Sequence, residues 1–300
     1  TMENLYKHST LFFPIRTCIV ELNRISMTRI HWRLILDEAH HGAYNMALDE
    51  ALLISAAARH NLPALRLYAW DPATLSLGFA QPSQDIDMER LQTLGWGLVR
   101  RPTGGRAILH TDELTYSITA PIDDPLLHGS LLESYRKISV ALLAALKYLN
   151  IPANGDKQYA ETPGAAHQNP VCFETPSNYE ITCGGKKLVG SAQARKHNGI
   201  LQHGSLPLVG DISRITNVLR FESEKERDAA AVKVLARAAT AASILSEPPS
   251  WQTAAQAFAR GFSETFGIEF IDSRPTPEEL TITEDLINTK YASDSWTLRI

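Results

Sequence analysis

Apolar and polar positions alternate along most of the chain in short blocks, and the blocks change period often. Ile30-His31-Trp32-Arg33-Leu34-Ile35 alternates with a period of two and predicts a strand. Residues 44–59 switch to helical spacing, with Met46, Leu48, Ala51, Leu52 and Ile54 on an apolar face and Asp49 and Glu50 within it or at its edge. Strand patterns follow at Leu65-Arg66-Leu67-Tyr68 and Leu75-Ser76-Leu77-Gly78-Phe79, with a turn at Asp71-Pro72. A short helix is expected over 87–94, then strands at Leu98-Val99-Arg100, Ala107-Ile108-Leu109 and Leu114-Thr115-Tyr116-Ser117-Ile118.

Ser130 and Glu133 form a capping box ahead of an apolar stripe of Tyr135, Ile138, Leu142, Ala145, Leu146 and Leu149, so a long helix begins there. Pro152 lies just past its end, and residues 152–170 have no period, which predicts a long loop. Strands resume at 179–182, 187–189 and 200–203. Two helices follow, over about 223–245 and over 251–266, where Phe258, Phe262 and Phe266 share a face and Gly267 ends the run. This irregular mixture predicts an α/β (α+β) fold, a mixed β-sheet with flanking helices rather than a doubly wound one. Residues 1–26 are expected to be an extension outside the fold, 27–272 one domain, and 273–300 a helical tail.

Composition narrows the class. The chain has 300 residues, 44% of them apolar, enough for a substantial core. A net charge of −4, from 29 basic and 33 acidic residues, gives no polyanion-binding surface, so no nucleic acid partner is expected. Three cysteines, none in a C-x-x-C pair, exclude a disulfide framework and disfavour a zinc site, so no metal is expected. The apolar stretch at 11–15 is broken too early for a membrane span. A cytoplasmic location is the expectation, with no membrane partner.

Two segments do not look like packing. Arg100-Arg101-Pro102-Thr103-Gly104-Gly105-Arg106 sets a Gly-Gly backbone among guanidinium groups shortly before His110. Gly-Gly is a common hairpin pair, but three clustered arginines repel one another unless an anion or carbonyl is held between them. Glycines there would also let backbone N–H groups approach a ligand. Gly185-Lys186-Lys187-Leu188-Val189-Gly190-Ser191-Ala192 sets a lysine before a small-residue stretch. Cys172, at the exit of the long loop, is either a small buried hydrophobe or a nucleophile. An inward-pointing Lys187 would lower a nearby thiol's pKa from about 8.5 to ~3.5–7.5. Cys183 sits in strand alternation and suits a structural role. His110 and His203 are either satisfied core histidines or parts of a site.

In this order, these segments resemble the biotin/lipoate protein ligase and lipoyl-transferase superfamily, over most of residues 30–270. The resemblance rests on Asn45-Met46-Ala47-Leu48-Asp49-Glu50, on Leu65-Arg66-Leu67-Tyr68 with Pro72-Ala73-Thr74-Leu75-Ser76-Leu77-Gly78, and on the Arg-Arg-x-Thr-Gly-Gly and Gly-Lys-Lys-x-x-Gly-Ser-Ala runs. ATP-dependent lipoate ligases of this superfamily typically carry a third glycine where Arg106 stands. Ile108-Leu109-His110-Thr111-Asp112-Glu113 and Cys172-Phe173-Glu174-Thr175-Pro176-Ser177-Asn178-Tyr179-Glu180 are similar to the cysteine-dependent octanoyltransferases. That family usually has Asp directly after the histidine, whereas here Thr111 intervenes before Asp112.

The resemblance implies a nucleophile at Cys172 and a pKa-lowering cation at Lys187. It implies an acyl slot built from Arg101, Thr103, Gly104, Gly105, Arg106, His110, Gly190, Ser191, Ala192 and His203. The implied reaction carries octanoate from acyl carrier protein to a lysine of the glycine-cleavage H protein or of a lipoyl domain. It needs no ATP or other cofactor. In the ligases, residues similar to those near 290–296 lead into an accessory domain, and its absence is expected of a transferase. The alternatives are an ATP-dependent lipoate ligase, an amidotransferase between lipoyl domains, and a non-catalytic lipoyl-domain binder.

Overall fold

The computed structural model describes residues 29–156 and 180–300. The expected N-terminal extension, most of the expected loop at 152–170, and Cys172 lie outside the described residues.

β1 (Ile30–His40), β2 (Ala64–Trp70), β6 (Glu113–Pro121), β7 (Asn154–Asp156), β8 (Glu180–Cys183), β9 (Lys186–Lys196), β10 (Gly199–Pro207) and β11 (Ile268–Asp272) form one sheet in the order β11-β1-β2-β6-β10-β9-β8-β7. β11, β1 and β2 run parallel; every other neighbouring pair is antiparallel. The sheet is therefore mixed, as the sequence pattern required. β3 (Thr74–Leu77), β4 (Gly97–Arg100) and β5 (Ile108–His110) make a second, small sheet with β3 in the middle. α2 (Met88–Thr93) and α4 (Glu224–Arg237) complete its apolar cluster through Leu91 and Val234.

One face of the large sheet is covered by α3 (Leu131–Tyr148) and α5 (Trp251–Phe266), which pack against each other. The Ser130–Glu133 capping box forms, and Gly267 takes the left-handed conformation (φ 63°) that ends α5. Phe258 and Phe262 are fully buried, each contributing about 1.5–3 kcal/mol of apolar transfer. Leu65, Leu67, Tyr116 and Ile118 meet them from the sheet.

α1 (Gly42–Ala57) lies across β6 and β10 on the opposite face. It is covered on its outer side by α6 (Pro277–Leu286), the π-helical turn Ile287–Tyr291 and, near its start, α7 (Asp294–Thr297). Burial on both sides explains why Asn45, Asp49 and Glu50 are buried on a helix that also buries Met46, Leu48 and Leu52. The buried charges are paired. Arg33 holds Glu279 of α6 at 2.6 Å, and Glu50 accepts from Lys290 (2.5 Å), Tyr291 and His197 (3.0 Å).

One expectation needs correction, and one strand was not foreseen. The helix expected over 223–245 stops at Arg237, because Ala238 is extended and the Ala239 N–H donates to the Lys187 carbonyl (2.9 Å). A tertiary backbone bond there overrides local helix preference. Residues 268–272, where the sequence pattern named no element, form β11 beside β1, a pairing more than two hundred residues distant in sequence. Among the described residues, no helix is long and apolar enough to cross a membrane.

Candidate active site

Two rows of residues run across the sheet beneath α1. Pairing aligns Tyr68, Thr115, Ser205 and Gly190, and beside them Arg66, Ser117, His203 and Ala192. The first row floors a slot. Met46, Tyr68, Trp70 and Ile108 make it apolar on the β2 side. On the β9 side it is bounded by Gly190, Ser191, Ala192 and Gly204, with Arg101 and Gly105 of the glycine turn above.

The turn is built close to the slot because Gly78 lets it approach. A Cβ on Gly78 would lie 1.8 Å from the Gly105 carbonyl oxygen, so only glycine fits. Gly105 itself has φ 95°. The clustered guanidinium groups are held by carbonyls. Arg100 donates to the carbonyls of Gly78 (2.8 Å), Gln81 (2.6 Å) and Thr297 (3.0 Å). Arg101 donates to those of Gly104 (2.9 Å), Arg106 (2.7 Å) and Ser76 (3.1 Å). These bonds fix the shape of the turn, and Arg106 contributes its backbone rather than an evident slot contact.

His203 is buried between a carboxylate and a hydroxyl. Its Nδ1 lies 3.2 Å from Asp49 and its Nε2 lies 2.7 Å from the Thr103 Oγ. Beside a carboxylate Nδ1 carries the proton, so Nε2 accepts from Thr103. Burial, against the pull of Asp49, moves His203 below its ordinary pKa, so the ring is neutral at pH 7. Burial pushes Asp49 up, but His203, Arg66 and Ser117 outweigh it and hold the carboxyl below its usual range. Asp49 also accepts from Arg66 (2.8 Å), Ser117 (2.7 Å) and Tyr68 (2.9 Å). The network ties α1, three strands and the glycine turn together.

His110 stacks on Trp70 (4.1 Å between centroids, 9° between planes). It is pinned by Glu113 at Nδ1 (2.6 Å) and by Ser76 at Nε2 (2.8 Å). The residue that departs from the family pattern, Asp112, points elsewhere. Its side chain pairs with Arg214, and its carbonyl accepts from Leu208 (2.9 Å) and Val209 (3.3 Å).

Lys187 owes its position to a β-bulge. Between the pairs Ile181–Val189 and Thr182–Lys187, β8 advances one residue and β9 two. Strict alternation would place Lys187 with Val189 and Ser191, toward α3. The extra residue turns it onto the face of Gly190 and Ala192, the slot face. There the side chain is 5% exposed, with its Nζ 2.7 Å from Glu180. Cys183, one strand over, is buried in the apolar cluster under α3.

Of the residues expected at the site, Arg101, Gly105, His110, Gly190, Ser191, Ala192 and His203 line the slot. Thr103 stands behind His203, Gly104 is exposed at the tip of the turn, and Lys187 lies three residues from Gly190 on the same face. Cys172 is outside the described residues. The sequence reading missed the partners Asp49, Glu113 and Glu180 and the apolar wall of Met46, Tyr68 and Trp70. A signal existed for Asp49, an acidic residue inside an apolar helical face. Among the described residues, no group of three histidine, cysteine or acidic side chains is placed to hold a metal ion.

A mixed sheet with a slot beneath a buried helix, a glycine turn above it and a buried lysine on the same sheet face defines a class shared with known proteins. The family model for the lipoyl protein ligase A/B catalytic domain matches residues 41–263, and the chain belongs to that family. Among solved structures, it is similar to an archaeal bipartite lipoate protein ligase of Thermoplasma acidophilum, described with its E2 lipoyl domain. That likeness has a TM-score of 0.73 and 26% identity, and covers 90% of this chain and 97% of the other. A lipoate-protein ligase A bound with ATP has a TM-score of 0.72 at 25% identity, with 89% and 98% covered.

Similarity in sequence separates the branches. The octanoyltransferase LipM of Brevibacillus brevis is 40% identical over 276 residues, covering 89% of this chain and 99% of that protein. This chain is an acyltransferase of the octanoyltransferase type.

Proposed function

We propose that the protein moves an octanoyl group from octanoyl-acyl carrier protein, through a thioester on Cys172, to a lysine of a lipoyl-accepting protein, either the glycine-cleavage H protein or a lipoyl domain. In the first step the Cys172 thiolate attacks the donor's carbonyl carbon. A new C–S bond forms, the carrier's C–S bond breaks, and the carrier leaves as a thiolate that takes up a proton. In the second, the acceptor's lysine, entering as the free amine, attacks the acyl-enzyme. A C–N bond forms, the Cys172 C–S bond breaks, and the amine's surplus proton is released as the thiolate is regenerated. One thioester replaces another and then yields an amide, so no nucleotide is required.

The observation that carries this reading is the bulge that turns a buried Lys187 onto the slot face. An ammonium there favours a nearby thiolate and then the oxyanion that develops on the carbonyl. The apolar wall of Met46, Tyr68 and Trp70 receives the chain, at about 0.8 kcal/mol per buried methylene. His110 and His203 shape the slot and hold the glycine turn in place. Residues 27–272 carry the chemistry, and 273–300 brace α1 from outside.

Likeness to a ligase bound with ATP favours a second reading, in which Lys187 binds an acyl-adenylate. Incubation with octanoyl-acyl carrier protein and no nucleotide separates the two. Intact mass should show one octanoyl group on wild-type enzyme and none on Cys172→Ser. Labelling only when ATP and free acid are supplied establishes the ligase instead.

A further inference from the structure

We propose that the Ser205 hydroxyl donates the hydrogen bond that holds the acyl carbonyl oxygen in the slot; the proposal rests on the acyl-transfer reading above. Ser205 is fully buried in the middle of β10 and lines the slot, and among the described residues its Oγ has no hydrogen-bond partner. The other polar side chains of the lining are committed. Both histidines are bonded at both ring nitrogens. Thr115 is bonded to Trp70 and Glu113, and the Tyr68 and Ser191 hydroxyls are bonded to Asp49 and Tyr116. Arg101 is held by carbonyls. Leaving a buried hydroxyl unmatched costs about 1–3 kcal/mol, so Ser205 is an exception that asks for a ligand atom. A saturated acyl group offers one strong acceptor, its carbonyl oxygen.

The dimensions agree. From β10 across β6 to β2 is two strand spacings, about 9.6 Å in all. An extended eight-carbon chain, with C–C bonds of about 1.5 Å, spans about 9 Å. With its carbonyl at Ser205, the chain lies along the row and its terminal methyl meets Tyr68 and Trp70. On the other side, Gly190 pairs with Ser205 and has no side chain to block the carbonyl. Gly190 also sits on the strand that carries Lys187, on the same face. The Ser205 hydrogen bond strengthens as the carbonyl oxygen gains charge.

The test compares Ser205→Ala with wild type, using octanoyl thioester carrying ¹³C at the carbonyl. A second variant, Thr119→Val, removes another buried, unpartnered hydroxyl that does not line the slot. Ser205→Ala should slow formation of the acyl-enzyme about a hundred-fold with little change in KM. It should also raise the acyl-enzyme's carbonyl stretching frequency and leave Tm unchanged or higher. Thr119→Val should keep the wild-type rate and frequency. An unshifted frequency in Ser205→Ala, or a rate loss accompanied by a fall in Tm, overturns the proposal. If wild-type enzyme takes no label, the thioester reading is what has failed. Octanamide binding by calorimetry then decides the Ser205 contact: tenfold weaker binding to Ser205→Ala supports it, and equal binding ends it.

Discussion

Replacing Lys187 with methionine removes one member of a buried ion pair. The Nζ–Oε1 distance to Glu180 is 2.7 Å, and the two side chains are 5% and 6% exposed. Methionine fills much the same volume, so the principal cost is Glu180 left buried without its cation, about 3–5 kcal/mol. Spread over a chain of this size, at about 2–4 °C per kcal/mol, Tm should fall by roughly 6–20 °C. Changing Glu180 to glutamine as well removes the stranded charge, and most of that loss should return, since well-packed neutral replacements of both partners are often near neutral. Activity should not return, because neither variant supplies an ammonium. The assay pairs thermal melts with the pH profile of Cys172 alkylation. In the single and the double variant alike, the midpoint should move up toward the ordinary thiol value of about 8.5. If the double variant recovers turnover along with Tm, Lys187 serves only to hold Glu180, and the reasoning about the thiolate fails.

Three further outcomes follow from the same geometry. Gly78→Ala should abolish turnover while the protein stays folded, because its Cβ would displace the Gly105 carbonyl and lift the glycine turn; unchanged kcat/KM would mean the turn is not part of the site. Met46→Ala should extend the accepted acyl chain to about ten carbons while costing about 2–5 kcal/mol of stability, measured by donor-length profiles and urea melts. Stability should fall with acid in two stages. His203, held below its ordinary value, is neutral in the fold, so the unfolded chain gains protons first as pH falls through about 6.5. Asp49, also held low, adds a loss that begins below about 4 as the unfolded carboxyl protonates and is complete below its depressed folded value. His203→Gln should erase the upper stage in pH-dependent melts and leave the lower one.

Local chemistry made much of this fold legible. The Ser130–Glu133 box, the phenylalanine stripe of α5 and Gly267 each declare a helix and its limits, and each does so in the structure. The alternation at β2, β6 and β10 gave the centre of the sheet, and the glycine turn and the Gly190 strand gave the two sides of the slot. What stayed hidden depends on distance in sequence. β11 exists because β1 is there to pair with it, and α4 ends where Ala239 bonds back to Lys187. Asp49 looked like a misfit on an apolar face until Arg66, His203 and Ser117 converged on it. The face that Lys187 occupies could not be read from alternation at all, since a bulge at Leu188 inverts it. Ser205 gave no signal, because its one distinction is a bond it does not make.

The central claim is that the acyl group passes through a protein thioester, and kinetic competence tests it most directly. Acyl-enzyme is formed on Cys172, freed of donor, and mixed rapidly with apo acceptor without nucleotide. The account predicts that the label moves to the acceptor lysine at least as fast as steady-state turnover. A stable acyl-enzyme that transfers more slowly than turnover, or only after ATP is added, would contradict it.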